Sequence, residues 1–239
     1  MPRTLVIIPA LNEEDALPVV LRDLARSVPD HDVLVVDDGS VDGTADAARS
    51  GGARVAQLPF HLGIGGGLRT GFRYAVDQGY ERAVQFDADG QHDPAEIASL
   101  FALLDSGSDL AIGSRFAASE RSYRIGHVRS AAMRFLRLAF QVLSGQSFTD
   151  TSSGFRAFSR PMLEFFSHNY PVEYMDSVEA LLLACYAGFT VTETKVTMRE
   201  RQAGAPSTRS VRLIYSYLRL LIVMTSSASL RSRARRMAV

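Results

Sequence analysis

Apolar runs alternate with helical patterns along the first half of the chain. Short apolar runs predict buried strands at residues 5–8, 33–36, 53–58, 83–86 and 109–113. Apolar residues between these runs recur at helical spacing, and they predict helices over residues 13–27, 43–50 and 63–78 and from Asp93–Pro94 onward. This alternation predicts an α/β fold in which helices flank a mainly parallel, twisted sheet.

The second half of the chain follows a different pattern. Residues 121–149 mix five arginines with apolar residues and contain no acidic residue. Residues 154–158 form a short segment that we predict to pair at an edge of the sheet. Residues 176–187 and 209–224 are predicted helices, and residues 190–198 are predicted to form one or two strands.

Polar and glycine-rich loops follow the predicted strands, at residues 9–13, 37–42, 59–67 and 87–93. In open α/β sheets, ligands bind outside the carboxyl ends of the strands. Because parallel strands end at the same edge, we expect these loops to form one site.

Asp87, Asp89 and Gln91 occupy alternate positions directly after a predicted strand. Alternate residues of an extended segment point the same way, and two carboxylates and an amide oxygen are therefore predicted to converge. These hard oxygen ligands suit Mg²⁺ or Mn²⁺ shared with phosphate oxygens. We predict a divalent-cation site here in preference to a solvated acidic turn. His92 is a weaker candidate for a phosphate contact.

Asp37 and Asp38 follow the second predicted strand. A carboxylate at this place can accept a hydrogen bond from a base N–H or a ribose hydroxyl, as the second-strand acid of dinucleotide-binding folds does. The alternative is Asx-turn or capping chemistry, for which Asp42 or Thr44 is available. Both roles are compatible, because the loop contains three acids and one cap needs one.

Five glycines surround the start of the third predicted helix, at positions 63, 65, 66, 67 and 71. Their spacing, and their place after the third strand, argue against a dinucleotide-binding motif. Glycines at a helix start permit close approach of the backbone to a ligand, and Arg69 is placed to contact a phosphate or a base. Tight packing of the helix on the sheet is an equal alternative.

Two arginines lie beyond the fifth predicted strand. Arg115 follows Gly113-Ser114 directly, and Arg129 lies in the basic segment. Arginine binds phosphate through two parallel hydrogen bonds and stays charged when partly buried. We predict that both bind an anionic group, with pairing to the protein's own acids as the alternative.

Composition and charge add constraints. A chain of 239 residues with 46% apolar content is sufficient for one compact domain. The single cysteine, Cys185, excludes an internal disulfide and indicates a reducing, cytoplasmic compartment. We expect no signal peptide, because the first residues lack a long apolar region. Net charge is zero, yet eight arginines and no acidic residue follow Glu200, which indicates an anionic partner for this end.

The last predicted helix is amphipathic. Arg212, Ser216 and Arg219 form a polar stripe beside a wide apolar arc, as in helices that lie in a membrane interface. We therefore predict a main domain over residues 1–208 and an amphipathic helix with a basic tail over residues 209–239, peripherally associated with a membrane. A core helix with a solvated tail is the alternative.

Seven segments together resemble, in family order, the family 2 glycosyltransferases with a GT-A fold. Within that family the chain looks like the polyprenyl- and dolichol-phosphate mannosyl- or glucosyltransferases. The segments are spread over nearly the whole chain: IIPALNEE, VVDDGSVDGT, GIGGGLRTG, QFDADGQHDP, GSR, DTSSGFRAF and MRERQAGAPS. Each segment is weak evidence alone, whereas the ordered set is specific.

The resemblance implies a role for each matching position. The nucleotide pocket would contain Pro9, Asn12, Glu13, Asp37 and Asp38. The divalent cation and the pyrophosphate would be bound by Asp87, Asp89 and Gln91. Arg115 and Arg129 would hold the acceptor phosphate. His61 and Met133 depart from the family pattern, at positions where asparagine and serine are expected.

The implied reaction is displacement of a nucleoside diphosphate from a sugar, with inversion at C1, by a polyprenyl phosphate at the cytoplasmic membrane face. A phosphate acceptor is already anionic and needs positioning cations in place of a strong base. A soluble hydroxyl acceptor is the alternative and needs a base, for which Asp176 and Glu179 are candidates. A nucleotidyltransferase and a non-catalytic nucleotide-binding module are further alternatives. We expect no nucleic-acid partner, and a homo-oligomer stays open.

Overall fold

The computed structural model of the protein describes residues 2–116, 138, 140–171 and 176–199. Within these residues, one sheet has the strand order β3-β2-β1-β4-β6-β5-β7. The strands are β1 (Thr4–Ala10), β2 (Asp32–Asp37), β3 (Arg54–Gln57), β4 (Arg82–Gln85), β5 (Leu110–Ser114), β6 (Arg156–Ser159) and β7 (Val191–Lys195). Neighbouring strands are parallel except where β6 pairs antiparallel with β4 and with β5. The predicted α/β fold with a mainly parallel sheet is confirmed.

Strand β6 does not lie at an edge of the sheet, and the prediction of edge pairing for residues 154–158 was wrong. Arg156 pairs in register with Gln85 of β4 on one side and with Ile112 of β5 on the other. Arg156 is itself buried and donates hydrogen bonds to the backbone oxygens of Ser177 and Thr151. A run of four residues that includes an arginine carries too short an apolar pattern to reveal burial on both faces.

Helices cover both faces of the sheet. They are α1 (Leu17–Ser27), α2 (Thr44–Ser50), α3 (Ile64–Asp77), a 3₁₀ turn (Pro94–Glu96) that continues into α4 (Ile97–Asp105), α5 (Arg160–Asn169) and α6 (Asp176–Ala187). Helix α1 begins at Leu17 and not at residue 13, because Pro18 occupies its first turn and residues 14–16 form a turn before it.

Helix α5 is an element that the apolar pattern alone did not reveal. Its start carries a recognisable signal, since the Ser159 side chain accepts a hydrogen bond from the Met162 N–H and Pro161 lies in the first turn. The helix directly follows β6, with no loop between them. Ser159 therefore ends a strand and caps a helix at the same position.

The core consists of two layers, one on each face of the sheet. On one face, α3, α5 and α6 pack an aromatic group in which the Phe72 ring lies 4.8 Å from Phe158 and 5.1 Å from Tyr170. On the other face, α1, α2 and α4 cover alternate strand residues, including Val6, Ile8 and Val35. Alternation of this kind between the two faces is the expected geometry of a sheet buried on both sides.

The carboxyl edge of the sheet contains, besides the loops after the parallel strands, the segment that leads into the antiparallel strand β6. Strands β1, β2, β3, β4, β5 and β7 all end at this edge. Because β6 runs in the opposite direction, its incoming segment, residues 150–155, lies at the same edge beside the loops after β4 and β5. The predicted loops therefore share an edge with a segment from the second half of the chain.

No helix among the residues described is both long and apolar enough to cross a bilayer. The predicted helix over residues 209–224 lies outside the described residues. The proposed boundary between residues 208 and 209 therefore stays a prediction.

Candidate active site

Asp87, Asp89 and Gln91 lie in one turn that follows β4. The Asp87 side chain is about one-third exposed, and its Oδ1 accepts a 3.4 Å hydrogen bond from Gln85 Nε2. Asp89 Oδ1 accepts a 3.0 Å hydrogen bond from the Gln91 N–H. Asp89 therefore both stabilises the turn and places a carboxylate at the carboxyl edge.

His92 is a buried residue that holds Asp87 in place. The His92 ring is buried, stacks on Phe155 at 4.5 Å and contacts the edge of Phe86 at 5.3 Å. Its Nδ1 accepts a 3.1 Å hydrogen bond from the Asp87 N–H, and its Nε2 lies 3.4 Å from Asp87 Oδ2. Burial lowers the pKa of His92, although the charges of Asp87 and Asp89 act in the opposite direction. A neutral ring with its proton on Nε2 satisfies both contacts, and His92 is a support for Asp87.

Gly154 leaves space for the Asp87 carboxylate. A Cβ at Gly154 would lie 3.1 Å from Asp87 Oδ2 and from Gln85 Nε2, and 3.3 Å from Asp87 Oδ1. Asp87 is thus confined by Gln85, His92 and the backbone of Gly154. Two of these constraints come from residues that the sequence analysis did not assign to the site.

The donor groups of this turn fit a magnesium or manganese ion that shares phosphate ligands. The described residues contain no group of three or more His, Cys, Asp or Glu side chains placed to hold a metal. Asp87 and Asp89 supply two carboxylates, and Gln91 supplies an amide oxygen. Mg²⁺ is usually held by one or two carboxylates together with phosphate oxygens and water. These three residues therefore fit a cation that is bound jointly by the protein and a diphosphate. They fit less well as a complete set of metal ligands.

Asp37 and Asp38 use their carboxylates differently. Asp37 Oδ1 accepts a 3.0 Å hydrogen bond from the Ser40 N–H, while its buried Oδ2 has no hydrogen-bond partner. Both Asp38 oxygens are engaged, by the N–H groups of Leu62 at 2.7 Å and Gly63 at 2.8 Å. Asp38 thus fixes the loop before α3, while the second oxygen of Asp37 is buried without a hydrogen-bond partner.

The loop after β1 is tied to the loop after β2. Asn12 has a left-handed backbone with φ of 56°, and its Oδ1 accepts a 2.9 Å hydrogen bond from the Val41 N–H. The Glu13 N–H donates to Thr44 Oγ1 at 2.8 Å. Pro9 is half-buried at the end of β1. Asn12 therefore shapes the predicted pocket by joining its two walls.

Two glycines of α3 lie where a side chain would clash with a neighbouring residue. A Cβ at Gly71 would lie 2.5 Å from Ile7 Cγ2, and one at Gly66 would lie 2.5 Å from Leu62 Cβ. Close approach of α3 to β1 therefore requires glycine. Arg69 donates from Nε to the Ser167 backbone oxygen at 3.4 Å, which places its guanidinium against α5.

Arg115 pairs with an acid of the protein, as the alternative interpretation predicted. Its Nε and Nη2 donate to the two oxygens of Asp150 at 2.7 and 2.9 Å. Arg129 lies outside the described residues, and so does the side chain of Asp176. Glu179 is half-buried in α6.

Arg199 joins the end of the described chain to the carboxylate loop. Its guanidinium donates to Asp23 at 2.8 Å and to Asp93 at 2.9 Å. The backbone N–H of Arg199 donates to the backbone oxygen of Gln91 at 2.8 Å. Residues 198–199 therefore brace the turn that contains Asp89 and Gln91. Sequence reasoning assigned no role to Arg199, Asp150 or Gly154, although each lies in a segment that carries the family resemblance.

Comparison with known proteins gives consistent matches. The sequence profile described as glycosyl transferase family 2 matches residues 5–166. A polyprenol monophosphomannose synthase of Mycolicibacterium smegmatis is 34% identical over 219 residues, which cover 84% of this chain and 79% of that protein. An undecaprenyl-phosphate mannosyltransferase of Micrococcus luteus is 32% identical over 210 residues, covering 84% and 86% of the two chains.

A solved structure shows the same fold. Glucosyl-3-phosphoglycerate synthase of Mycobacterium tuberculosis, solved with Mn²⁺, uridine diphosphate and glucosyl-3-phosphoglycerate, superposes with a TM-score of 0.70. It is 21% identical, and the match covers 95% of this chain and 79% of that chain. The comparison supports the GT-A fold that the resemblance implied.

Proposed function

The chain belongs to glycosyl transferase family 2, and we propose that it transfers a sugar from a nucleoside-diphosphate sugar to a polyprenyl or dolichol-type phosphate at the cytoplasmic face of a membrane. Two relatives at least 32% identical are named for polyprenol- or undecaprenyl-phosphate products or substrates. The observation that carries the proposal is the placement of Asp87 and Arg115 at one edge of the sheet. The segment before β6 contacts both residues.

The donor half of the site would use the turn after β4. Asp87, Asp89 and Gln91 would bind Mg²⁺ or Mn²⁺ together with the two phosphates of the donor. When bound, the cation offsets the negative charge that develops on the departing diphosphate. His92 and Gly154 would hold the Asp87 carboxylate in place for this contact.

The nucleoside would lie over the loops after β1 and β2. The buried, unmatched Oδ2 of Asp37 supports a contact with a ribose hydroxyl or a base N–H. Asp38 would act through the loop that it fixes at Leu62 and Gly63. Pro9, Asn12 and Glu13 would line the same pocket. Arg69 would contact a phosphate or the base from helix α3.

The acceptor half would use Arg115 and Arg129. An oxygen of the acceptor phosphate attacks C1 of the sugar while the bond from C1 to the diphosphate oxygen breaks, which inverts the configuration at C1. The phosphate is already ionised at neutral pH, and no proton has to be removed from it. The arginines would orient one phosphate oxygen in line with the breaking bond.

The test separates charge from fold at Asp89. Asp89→Asn keeps an oxygen that can accept the Gln91 N–H hydrogen bond but removes the carboxylate charge. We expect turnover to fall by about 100-fold or more, because a bound cation supplies several kcal/mol of stabilisation. Asp105→Asn, which removes the charge of an exposed carboxylate at the end of α4, is the matched control and should leave turnover unchanged.

Binding is measured separately from turnover. Nucleoside diphosphates with Mn²⁺ should raise the melting temperature of the wild type, since a ligand at 100 times its Kd adds about 2.7 kcal/mol to the folded state. Asp89→Asn should lose this increase, while its melting temperature without ligand stays near that of the wild type. Normal turnover by Asp89→Asn, or activity that resists a chelator, contradicts the cation site.

One observation favours a second function. Asp150 already balances the charge of Arg115, which weakens the attraction of the described residues for an anionic acceptor. Transfer to a sugar hydroxyl, with Glu179 or Asp176 as base, is the corresponding alternative. Efficient transfer to an unphosphorylated saccharide, with none to a short-chain polyprenyl phosphate in detergent, would establish it.

A further inference from the structure

Asp150 is a buried carboxylate at the catalytic edge that the proposed reaction does not use. Its side chain is 0% exposed, whereas the Arg115 side chain beside it is 38% exposed. Asp150 lies in the segment that leads into β6, and Arg115 directly follows β5. The pair therefore joins two adjacent parts of the edge, one buried and one open to solvent.

The hydrogen bonds fix both the position and the plane of the Arg115 guanidinium. Asp150 Oδ2 accepts from Arg115 Nε at 2.7 Å and from the Arg115 N–H at 3.3 Å. Asp150 Oδ1 accepts from Arg115 Nη2 at 2.9 Å and from Ser152 Oγ at 3.2 Å. A two-point pair between a planar guanidinium and a planar carboxylate defines orientation as well as distance.

Asp150 is itself held by its neighbours. The Thr149 N–H donates to Glu193 of β7 at 2.9 Å, and Thr149 Oγ1 lies 2.6 Å from Ser114 Oγ. Ser153 Oγ donates to the Gly113 oxygen at 2.6 Å. The backbone on both sides of Asp150 is therefore fastened to β5, which Arg115 directly follows, and to the neighbouring strand β7.

Asp150 is ionised in the folded protein. Burial raises the pKa of Asp150, but the hydrogen bonds and charge of Arg115 outweigh burial and lower the pKa overall. A charged carboxylate without solvent contact is stable only when paired and hydrogen-bonded. Arg115 is therefore held by a full negative charge.

We propose that Asp150 is a positioning residue, which fixes the guanidinium of Arg115 for contact with the acceptor phosphate. This inference rests on the proposed transfer to a lipid phosphate and adds the group that sets the geometry of its acceptor site. Asp150 touches neither donor nor acceptor. Its effect passes entirely through Arg115.

A purely structural ion pair is the competing explanation. In that case Asp150 only fastens β5 to the segment before β6, and its loss lowers stability without a selective effect on the acceptor. The two explanations predict different effects on the acceptor KM and on the donor Kd. A positioning role predicts that the acceptor KM changes while the donor Kd does not.

The experiment compares Asp150→Asn with Asp109→Asn in the full-length protein. Asp109 lies just before β5, at the opposite edge of the sheet, where it accepts hydrogen bonds from Ser159 Oγ at 3.1 Å and the Thr190 N–H at 2.9 Å. The KM for a short-chain polyprenyl phosphate is measured in detergent. The Kd for a nucleoside diphosphate with Mn²⁺ is measured by calorimetry, and the melting temperature of each variant is recorded.

Asp150→Asn should raise the acceptor KM by about tenfold or more, since a displacement of 1 Å at a reacting group can cost about 100-fold. The donor Kd should stay within about twofold of the wild-type value. Asp109→Asn should lower the melting temperature without changing the acceptor KM. The proposal is overturned if Asp150→Asn leaves the acceptor KM unchanged. It is also overturned if the acceptor KM and the donor Kd change by the same factor.

A second variant covers the case in which Asp150→Asn does not fold. Ser152→Ala removes an exposed hydroxyl that donates to Asp150 and accepts from Arg115 Nη2 at 3.1 Å. It should raise the acceptor KM by a smaller factor in a fully folded protein, and an unchanged KM counts against the proposal. If the wild type transfers no sugar to polyprenyl phosphate, the proposed function itself is wrong. If the wild type is active and the variants have the same acceptor KM, only the role of Asp150 is wrong.

Discussion

A single methyl group at Gly154 should disturb the cation site without unfolding the protein. Gly154 does not have a left-handed backbone, and alanine is therefore conformationally allowed. Its added Cβ would lie 3.1 Å from Asp87 Oδ2. Non-bonded heavy atoms are most favourably separated by about 3.5 Å or more, and the carboxylate therefore has to move by about 0.4 Å.

The expected effect on stability is small and the effect on turnover is larger. Gly→Ala at a compatible backbone stabilises by about 0.4–1 kcal/mol through the unfolded state, and crowding at Asp87 and Gln85 offsets part of this gain. The melting temperature should therefore change by no more than about 4 °C. A 1 Å displacement at a catalytic group costs up to about 100-fold, and 0.4 Å corresponds to roughly five- to tenfold in turnover.

The assay follows sugar transfer as a function of Mn²⁺ concentration. Gly154→Ala should raise the Mn²⁺ concentration at half-maximal rate as well as lower turnover, because the displaced carboxylate is a proposed ligand. Gly67→Ala is the control, since its Cβ would lie 3.7 Å from Pro9 Cβ and 3.8 Å from Val36 Cγ1, which are ordinary contacts. If Gly154→Ala keeps the wild-type Mn²⁺ dependence and turnover, then Asp87 does not hold the cation in this position.

Three further predictions address other parts of the chain. Deleting residues 209–239 should release the protein from anionic vesicles in a salt-dependent manner, since each arginine near the surface adds about 1 kcal/mol; a full-length protein that fails to bind vesicles refutes this. Asp150→Asn should be less stable than the wild type at neutral pH. The folded pKa of Asp150 lies below its unfolded value, and the wild-type advantage should therefore be complete above about pH 4 and vanish as the pH falls through the folded pKa, as measured by urea unfolding. Partial burial raises the pKa of Cys185 to about 12, and alkylation of this thiol at pH 8 should be slower in the native protein than after denaturant is added; equal labelling rates in the two states would contradict the raised pKa.

The sequence was most informative where periodicity is strong. The strands around Val6 and Val35 are continuous apolar runs, and their order along the chain sufficed to predict a parallel sheet. Strand β6 was misplaced because pairing with non-consecutive strands is a long-range property that a four-residue run does not encode. Helix α5 was missed although Ser159 and Pro161 mark its start, because the segment lacks a clear loop before it.

The residue types in the sequence predicted the chemistry of the site, but they did not predict which residues contact each other. The acids after β2 were expected near a nucleotide, yet only the structure shows that Asp38 holds the loop before α3 while Asp37 retains an unmatched oxygen. Arg115 was expected to bind an anionic group or, alternatively, to pair with an acid of the protein, and only the structure identifies that acid as Asp150, 35 positions away in the chain. Such pairings depend on tertiary contacts, which no local pattern specifies.

The reversed direction of β6 also sets a distance. Because this strand lies between β4 and β5, the ends that carry Asp87 and Arg115 are separated by two strand spacings, about 9.6 Å, in place of one. In a sheet without β6, the donor diphosphate and the acceptor phosphate would have to share one spacing of about 4.8 Å and would repel each other. Under the proposed function, the inserted strand would keep the donor diphosphate and the acceptor phosphate one further strand spacing apart, which would reduce the repulsion between them.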